Sequence, residues 1–184
     1  VMMPSIDTVD DVKHLVEATK YPPMGKRGLG PVRAAEYMQG PLAQADYVAF
    51  ATEQTLVMPQ IETLECVNNL PEMCKNEGVD GFIIGPRDLA MRMGYYGGPA
   101  HDEVEKVLGE IVTIVGENYK WYGTVAGTAG EAEGLNKKGA SKVMESKQGI
   151  IKQSGKAFFK KKKKNNKHPM AALVVLFNLK DDSA

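Results

Sequence analysis

Apolar residues in this chain follow two patterns, short continuous runs and longer stretches with a spacing of three or four residues. The continuous runs predict buried strands, whereas the spaced residues predict amphipathic helices. Strands are predicted at residues 1–3, 55–61, 81–84, 121–126 and 142–144. Helices are predicted at about residues 8–19, 33–50 with a Gly-Pro break, 63–75, 88–93, 101–115 and 129–138.

The predicted strands and helices alternate along the chain, and their connections are short enough for parallel crossovers. This order predicts an α/β fold with a parallel sheet. The strands are continuously apolar, as expected of a sheet that is covered on both faces. The pattern alone does not distinguish an open doubly wound sheet from a barrel. No Gly-x-Gly-x-x-Gly motif follows a strand, so a dinucleotide-binding fold has no direct support.

The composition is that of an ordinary globular protein. The chain has 184 residues, is 43% hydrophobic and 25% charged, and has a formal net charge of +0. Balanced charge gives no reason to expect binding to nucleic acid or to an acidic membrane. The late apolar stretch at 170–177 is too short to span a bilayer, and the first residues do not resemble a signal peptide.

The two cysteines, Cys66 and Cys74, fall within one predicted helix. Eight helical residues rise about 12 Å, which is too far for a disulfide bond. Their spacing is not that of a metal site either. We therefore expect two reduced thiols and a cytoplasmic protein.

Two acidic residues, Glu62 and Asp88, follow consecutive predicted strands. Consecutive strands in such folds are usually neighbours, and active sites lie at the carboxyl ends of the strands. Two adjacent carboxylates need a compensating charge, and their oxygens suit Mg²⁺ or Mn²⁺. Gln60 lies two residues before Glu62, on the same side of its strand, where its amide could donate to a bound ligand.

A simpler interpretation stays open for each carboxylate. Asp88 could be no more than a helix cap, and Glu62 could be a solvated residue at the end of a strand. The turn Gly85–Asp88 adds a further feature. Backbone N–H groups at a helix start bind anions, so the amides of Arg87 and Asp88 could hold a substrate carboxylate. That arrangement suits a 2-oxo acid whose enolate a metal stabilises as a Lewis acid.

Four segments together resemble a known family. They are VMMPSIDT at 1–8, YPPMGKRG at 21–28, PQIET at 59–63 and EGVDGFIIGPRDLA at 77–90. Over roughly residues 1–140 the chain resembles the HpcH/HpaI aldolases, which are metal-dependent 2-oxo-acid aldolases of the pyruvate/phosphoenolpyruvate superfamily. The resemblance implies a (β/α)8 TIM barrel, of which this chain would supply roughly the second half. We therefore expect a partial barrel domain at 1–159 and a divergent lysine-rich tail at 160–184.

The resemblance also implies an activity and a set of site residues. The expected reaction is cleavage of a 4-hydroxy-2-oxo acid to pyruvate, or a close analogue, and an aldehyde. Glu62 and Asp88 match the two ligands of Mg²⁺ or Mn²⁺, and Gln60 matches a substrate-contacting glutamine. Arg87 and Asp88 match the pair whose amides hold the pyruvate carboxylate. The loop that contains Arg27 matches one beside the active site. A homo-oligomer is expected, since the family often forms hexamers.

The chain departs from the family pattern in three respects. The family's catalytic histidine base and its arginine belong to earlier strands than those matched here. His14, His101 and His168 do not match the histidine by position, and the first two are expected on the surface. Charged residues at 142–148 stand where an apolar strand is expected. These 184 residues alone are therefore expected to have little or no aldolase activity.

Other functions stay open at this point. The chain could be a non-catalytic remnant that binds metal or an oxo acid, or an interaction subunit that completes a barrel with another chain. A half-barrel exposes a sheet edge, which predicts self-association. The lysine run at 160–164 could bind a polyanion, although such runs are most often solvated surface.

Overall fold

The computed structural model describes residues 1–42, 44–126 and 128–144. In this part of the chain five strands form one sheet, and each neighbouring pair is parallel. The strands are β1 (Met2–Met3), β2 (Met58–Ile61), β3 (Gly81–Ile84), β4 (Trp121–Val125) and β5 (Lys142–Met144). The helices are α1 (Val9–Thr19), α2 (Gln44–Gln54), α3 (Leu64–Met73), α4 (Pro86–Arg92), α5 (Asp102–Glu117) and α6 (Ala129–Lys137), and a 3-10 helix, Arg33–Met38, precedes α2.

The order of the strands in the sheet is their order in the sequence, β1-β2-β3-β4-β5. A doubly wound sheet reverses this order at a switch point, whereas a (β/α)8 barrel does not. The strands form a curled half-barrel with flanking helices, which confirms the predicted α/β fold and its partial TIM-barrel architecture. The expected tail at 160–184 and most of the charged segment at 142–148 lie outside the described residues.

The main core lies between the sheet and three helices. Phe82 and Ile84 are two residues apart in β3 and both belong to this core, so they face the helices, while Ile83 does not. The helices contribute residues at three- and four-residue spacing, as amphipathic packing requires. These are Val12, Leu15 and Val16 of α1, Val67, Leu70 and Met73 of α3, and Ile111 and Val115 of α5.

Threonine side chains fix the beginnings of three helices at the carboxyl edge of the sheet. The hydroxyl of Thr8 accepts from the Asp11 N–H in a capping box, and that of Thr63 accepts from the Cys66 N–H at 2.9 Å. Thr128 caps α6 in the same way. An N-cap of this type contributes about 1 kcal/mol. The caps hold the turns at this edge in place.

Three sequence expectations need correction. The first strand is present, but Met2 and Met3 are 46% and 41% exposed rather than buried, because β1 has only β2 as a neighbour among the described strands. The second strand begins at Met58 rather than at Thr55, because the Val57 N–H donates to the Asp80 carboxylate at 2.8 Å. The fourth helix begins at Pro86. None of the described helices is long and apolar enough to span a bilayer.

Candidate functional site

Glu62 directly follows β2 at its carboxyl end, and the residue is only 7% exposed. Its Oε1 accepts from the Gln60 side-chain amide at 2.5 Å, and its Oε2 accepts from the Ser5 backbone N–H at 3.4 Å. Both donors are neutral, and within the described ranges no lysine, arginine or histidine forms an ion pair with Glu62. A buried carboxylate without a cation is costly, so this site favours an added positive charge.

Gly85 brings the turn after β3 against this carboxylate. Its N–H donates to the Ile61 carbonyl at 2.9 Å, which continues the pairing of β2 with β3. A Cβ at this position would lie 3.0 Å from Gln60 Nε2 and 3.0 Å from Glu62 Cγ. The absence of a side chain therefore lets the backbone of the turn approach Gln60 and Glu62 closely.

Asp88 is the third residue of α4, and the expectation that it caps this helix is wrong. Gly85 occupies the N-cap without a side-chain hydrogen bond, and Pro86 is the first helical residue. Proline suits that position because its fixed φ is helical and its missing N–H is not needed there. The exposed Asp88 carboxylate stands in the first turn, where the helix dipole favours a negative charge.

The same turn presents unpaired backbone donors. The first N–H groups of a helix have no intrahelical acceptor. In α4 the Leu89 N–H is the first to reach a carbonyl, that of Gly85, at 3.0 Å. The N–H groups of Arg87 and Asp88 precede it, and both side chains are exposed. The turn beside Glu62 therefore offers two backbone donors and one guanidinium group.

The turn between β1 and α1 is attached to the beginning of α3 next to Glu62. The Thr63 hydroxyl donates to the Asp7 carboxylate, and the Asn69 side-chain amide donates to the Asp7 carbonyl at 2.9 Å. Ser5, which donates to Glu62, has a φ of 55°. Sequence reasoning missed Ser5 and Asp7, because their contacts join segments more than 50 residues apart.

The loop that contains Arg27 lies at the other end of α1. The Arg27 N–H donates to the Lys20 carbonyl at 3.0 Å, and its guanidinium group lies 4.7 Å from the centre of the Tyr21 ring. The 11 residues of α1 rise about 16 Å between this loop and the turn that contacts Glu62. The expectation that this loop lies beside the site is therefore not met in the described structure.

The described histidines do not contact Glu62. His14 is exposed on α1, and His101 is the exposed N-cap of α5. The His101 Nδ1 accepts from the Glu103 N–H at 3.3 Å, and its ring stacks on Tyr95 with the ring centres 3.8 Å apart. Both histidines are therefore surface residues, as predicted. His168 lies outside the described residues.

Both cysteines are free thiols, as predicted, and the structure places both in buried positions. Burial raises the pKa of Cys66 to about 12, with smaller contributions from the nearby charges of Asp7 and Glu62. Burial also raises the pKa of Cys74 to about 11. Both thiols are therefore protonated at neutral pH.

The donor set at this edge suits a hard cation. In the described ranges no cluster of three or more histidine, cysteine, aspartate or glutamate side chains could hold a metal. A structural zinc site requires such a cluster. Mg²⁺ differs, because it often binds one or two carboxylates and keeps water or substrate oxygens as its other ligands. Glu62 and Asp88 provide two carboxylates on neighbouring turns, which fits that chemistry.

A surface cavity of about 390 Å³ opens elsewhere, between α1 and the turn that precedes β3. It is lined by Lys13, Val16, Glu17, Met24, Asn76, Glu77 and Gly78. Its residues come from α1, from the loop that follows α1 and from the turn before β3, whereas Glu62 follows the carboxyl end of β2. None of the candidate site residues lines this cavity.

Comparison with known proteins identifies a related family. Residues 1–149 match the family described as HpcH/HpaI aldolase/citrate lyase. The chain is 40% identical over 121 residues to a 4-hydroxy-2-oxo-heptane-1,7-dioate aldolase from Escherichia coli, a match that covers 65% of this chain and 45% of the relative. It is 37% identical over 130 residues to a hydroxypyruvate/pyruvate aldolase from Cupriavidus necator, which covers 69% of this chain and 45% of the relative.

A solved structure shows the same fold. An HpcH/HpaI aldolase/citrate lyase family protein from Burkholderia cenocepacia J2315 superimposes with a TM-score of 0.79 at 27% identity. The match covers 88% of this chain and 64% of that protein. The chain thus spans less than half the length of the curated relatives that it matches.

Proposed function

Because the chain belongs to the HpcH/HpaI aldolase/citrate lyase family, we propose that Glu62 and Asp88 bind a divalent cation for an aldolase reaction. The reaction is cleavage of a 4-hydroxy-2-oxo acid to pyruvate, or a close analogue, and an aldehyde. The observation that carries this proposal is the buried Glu62 carboxylate, which has neutral donors only and lies against the Gly85 turn. The aldolase names of the two curated relatives support it.

Each residue of the site has a role in this proposal. Glu62 and Asp88 hold Mg²⁺ or Mn²⁺, which when bound supplies Lewis acidity toward the 2-oxo group. The N–H groups of Arg87 and Asp88 seat the substrate carboxylate at the start of α4. Gln60 contacts the oxo acid through the amide atoms that Glu62 does not occupy. The small-molecule partners are therefore a 2-oxo acid and an aldehyde.

The proposed aldolase reaction also needs groups that transfer protons, in addition to the cation ligands. In the family, the base histidine and the arginine come from strands that precede the segment matched here. The described residues near Glu62 supply cation ligands and anion donors, and neither described histidine is among its contacts. We propose that these 184 residues alone bind the cation and an oxo acid but release pyruvate slowly or not at all. We also propose that the protein works in the cytoplasm as a homo-oligomer, as family members often do.

The second candidate function is binding without catalysis. The same geometry serves a subunit that binds a metal and an oxo acid, or one that completes a barrel with another chain. Among the described strands β1 pairs with β2 alone, and Met2 and Met3 expose apolar side chains there, which favours pairing with a further strand.

Calorimetric titration with Mn²⁺, followed by pyruvate at saturating Mn²⁺, tests the binding site. Glu62→Gln keeps the shape of the side chain and removes its charge, so we expect about 100-fold weaker Mn²⁺ binding. The matched control is Glu65→Gln, which alters an exposed acid three residues further on. Equal Mn²⁺ affinity in the wild-type chain and Glu62→Gln would refute the proposed site.

A pyruvate-release assay with a 4-hydroxy-2-oxo acid separates the two functions. Mn²⁺-dependent release that Glu62→Gln abolishes would show that the 184 residues suffice for the aldolase reaction. Binding of Mn²⁺ and pyruvate without release would favour the non-catalytic candidate for this chain.

A further inference from the structure

Glu62 already has one donor on each carboxylate oxygen. Gln60 donates to Oε1 at 2.5 Å, and the Ser5 N–H donates to Oε2 at 3.4 Å. The first donor belongs to the same strand, and the second belongs to the turn after β1. The two donors therefore approach from different segments and restrict the orientation of the carboxylate.

The contact between Gln60 and Glu62 is confined by the backbone of Gly85. A Cβ there would lie 3.0 Å from Gln60 Nε2 and 3.2 Å from Glu62 Oε1. The amide and the carboxylate thus pack against one glycine and against each other. One N–H of Gln60 is committed to Glu62 in this arrangement, so Gln60 acts on the carboxylate before any substrate binds.

The second donor is held in an unusual backbone conformation. Ser5 has a φ of 55°, in the left-handed region that a residue other than glycine adopts only at a cost. Two contacts of Asp7 hold this turn in place. Its carboxylate accepts from the Thr63 hydroxyl, and its carbonyl accepts from the Asn69 amide at 2.9 Å. Thr63 directly follows Glu62, so Asp7 joins the Ser5 turn to the backbone beside the carboxylate.

We propose that Gln60 and Asp7 are positioning residues, which fix the Glu62 carboxylate in one orientation for a divalent cation. Gln60 acts directly on Oε1. Asp7 acts through Thr63 by holding the Ser5 N–H on Oε2. This inference rests on the proposed cation site, and it gives Gln60 a role that precedes any contact with substrate. Groups that orient a metal ligand typically contribute 10- to 100-fold to metal affinity.

The decisive measurement is Mn²⁺ affinity without any oxo acid, by calorimetry on the full chain. Gln60→Leu replaces the donor with an apolar side chain of similar size, so we expect Mn²⁺ binding to weaken by about 10- to 100-fold. If Gln60 only contacted substrate, Mn²⁺ affinity would be unchanged and pyruvate affinity at saturating Mn²⁺ would fall, which would overturn its positioning role. Gln60→Met repeats the measurement if the leucine variant fails to fold.

Asp7 is tested with a pair of variants. Asp7→Ala removes the acceptor of the Thr63 hydroxyl, and we expect about 10-fold weaker Mn²⁺ binding. Asp7→Asn keeps an acceptor oxygen and removes the charge, so we expect affinity within about threefold of wild type. An asparagine variant as weak as the alanine variant would show a purely electrostatic effect and would overturn the role. The matched control is Asp10→Ala, an exposed acid in the first turn of α1.

The outcomes separate this inference from the proposed function. If the wild-type chain and Glu62→Gln bind Mn²⁺ equally, the proposed site itself is wrong. If Glu62→Gln binds weakly while Gln60→Leu and Asp7→Ala bind like wild type, only the positioning roles are wrong. Urea unfolding of each metal-free variant identifies any loss of affinity that follows from loss of the fold.

Discussion

Two acidic side chains at opposite ends of the sheet have opposite surroundings. Asp80 precedes β3, accepts from the Val57 N–H at 2.8 Å, and lies 3.8 Å from the ammonium group of Lys20. Glu62 follows β2 and accepts only from neutral amides. The chain supplies a cation for Asp80, in the described structure, and none for Glu62. A carboxylate with its own cation serves the fold, whereas one without a cation is available to a ligand.

Substitution of the buried Lys20 should have the largest effect, and it tests whether the ion pair with Asp80 stabilises the fold. Its ammonium group donates to the carbonyls of Thr55 at 2.6 Å and Thr52 at 3.1 Å. Lys20→Met would leave these two carbonyls without their donor and the Asp80 carboxylate without its cation. We expect a loss of about 2–3 kcal/mol in the free energy of unfolding, measured by urea denaturation.

Lys13→Met is the matched control, because Lys13 and its partner Asp10 are both exposed. Its effect should stay within about 0.5 kcal/mol. A loss for Lys20→Met no larger than that of the control would show that the buried pair does not stabilise the fold.

The next largest expected effect comes from neutralising each of the two carboxylates, Asp80 and Glu62, in turn. We expect Asp80→Asn to lower the free energy of unfolding by about 1.5 kcal/mol, because Lys20 loses its charged partner. We expect metal-free Glu62→Gln to be unchanged or more stable, because it removes a buried charge that has no cation. Thermal denaturation in EDTA measures both. Equal losses in the two variants would mean that Glu62 is structural as well.

Gly85 allows a steric test of the proposed cation site at Glu62. Its φ of −99° lies outside the left-handed region that penalises other residues, so Gly85→Ala chiefly tests the space beside Gln60 and Glu62. The added methyl group would press on Gln60 and Glu62, and we expect about tenfold weaker Mn²⁺ binding by calorimetry. Gly94→Ala would not be a matched control, because its φ is +88°. Gly109→Ala is suitable, since it lies in α5 with no atom near the added Cβ. Unchanged affinity in Gly85→Ala would show that the site tolerates displacement of these side chains.

The smallest expected effect is a pH dependence of the free energy of unfolding that is caused by the buried Cys66 thiol. The pKa of Cys66 is raised to about 12, so the unfolded chain releases this proton at lower pH than the folded chain. Stability is therefore complete at neutral pH and falls as the pH rises above about 9. By pH 9.5 we expect the wild type to have lost about 1 kcal/mol more than Cys66→Ala, relative to each protein at pH 7. Urea unfolding at the two pH values measures this difference, and parallel losses would contradict it.

Periodicity predicted much of the fold, because it reports which side chains are buried. The strand at 81–84 appears with the predicted bounds, and its four residues are all buried. The placement of Gln60 and Glu62 on one side of a strand followed from the alternation of side chains, and the contact between them bears this out. The helix predicted from Thr63 is present as α3, which begins one residue later, at Leu64, with Thr63 as its N-cap.

The remaining features depend on contacts between distant segments, which a local pattern does not contain. The start of β2 is set by the Asp80 side chain, which takes the Val57 N–H. The alternative that Asp88 caps a helix rested on its place before an apolar pattern, but Pro86 begins the helix two residues earlier. The place expected for the Arg27 loop came from the resemblance alone, whereas in the structure the Arg27 N–H donates to the Lys20 carbonyl at the far end of α1. The pairing of Asp7 with Thr63 gave no signal in the sequence.

The sequential strand order has a consequence for how the sheet assembles. Paired residues of neighbouring strands differ in their separation along the chain. Residue 123 of β4 pairs with residue 142 of β5, and residue 60 of β2 pairs with residue 83 of β3. Residue 2 of β1, by contrast, pairs with the more distant residue 58 of β2. The loop that β1 closes is roughly three times as long as the shortest one, which costs about 1 kcal/mol more closure entropy. We therefore expect the turn that carries Ser5 and Asp7 to join a sheet whose later strands have already paired, so that the surroundings of Glu62 would be completed late in folding.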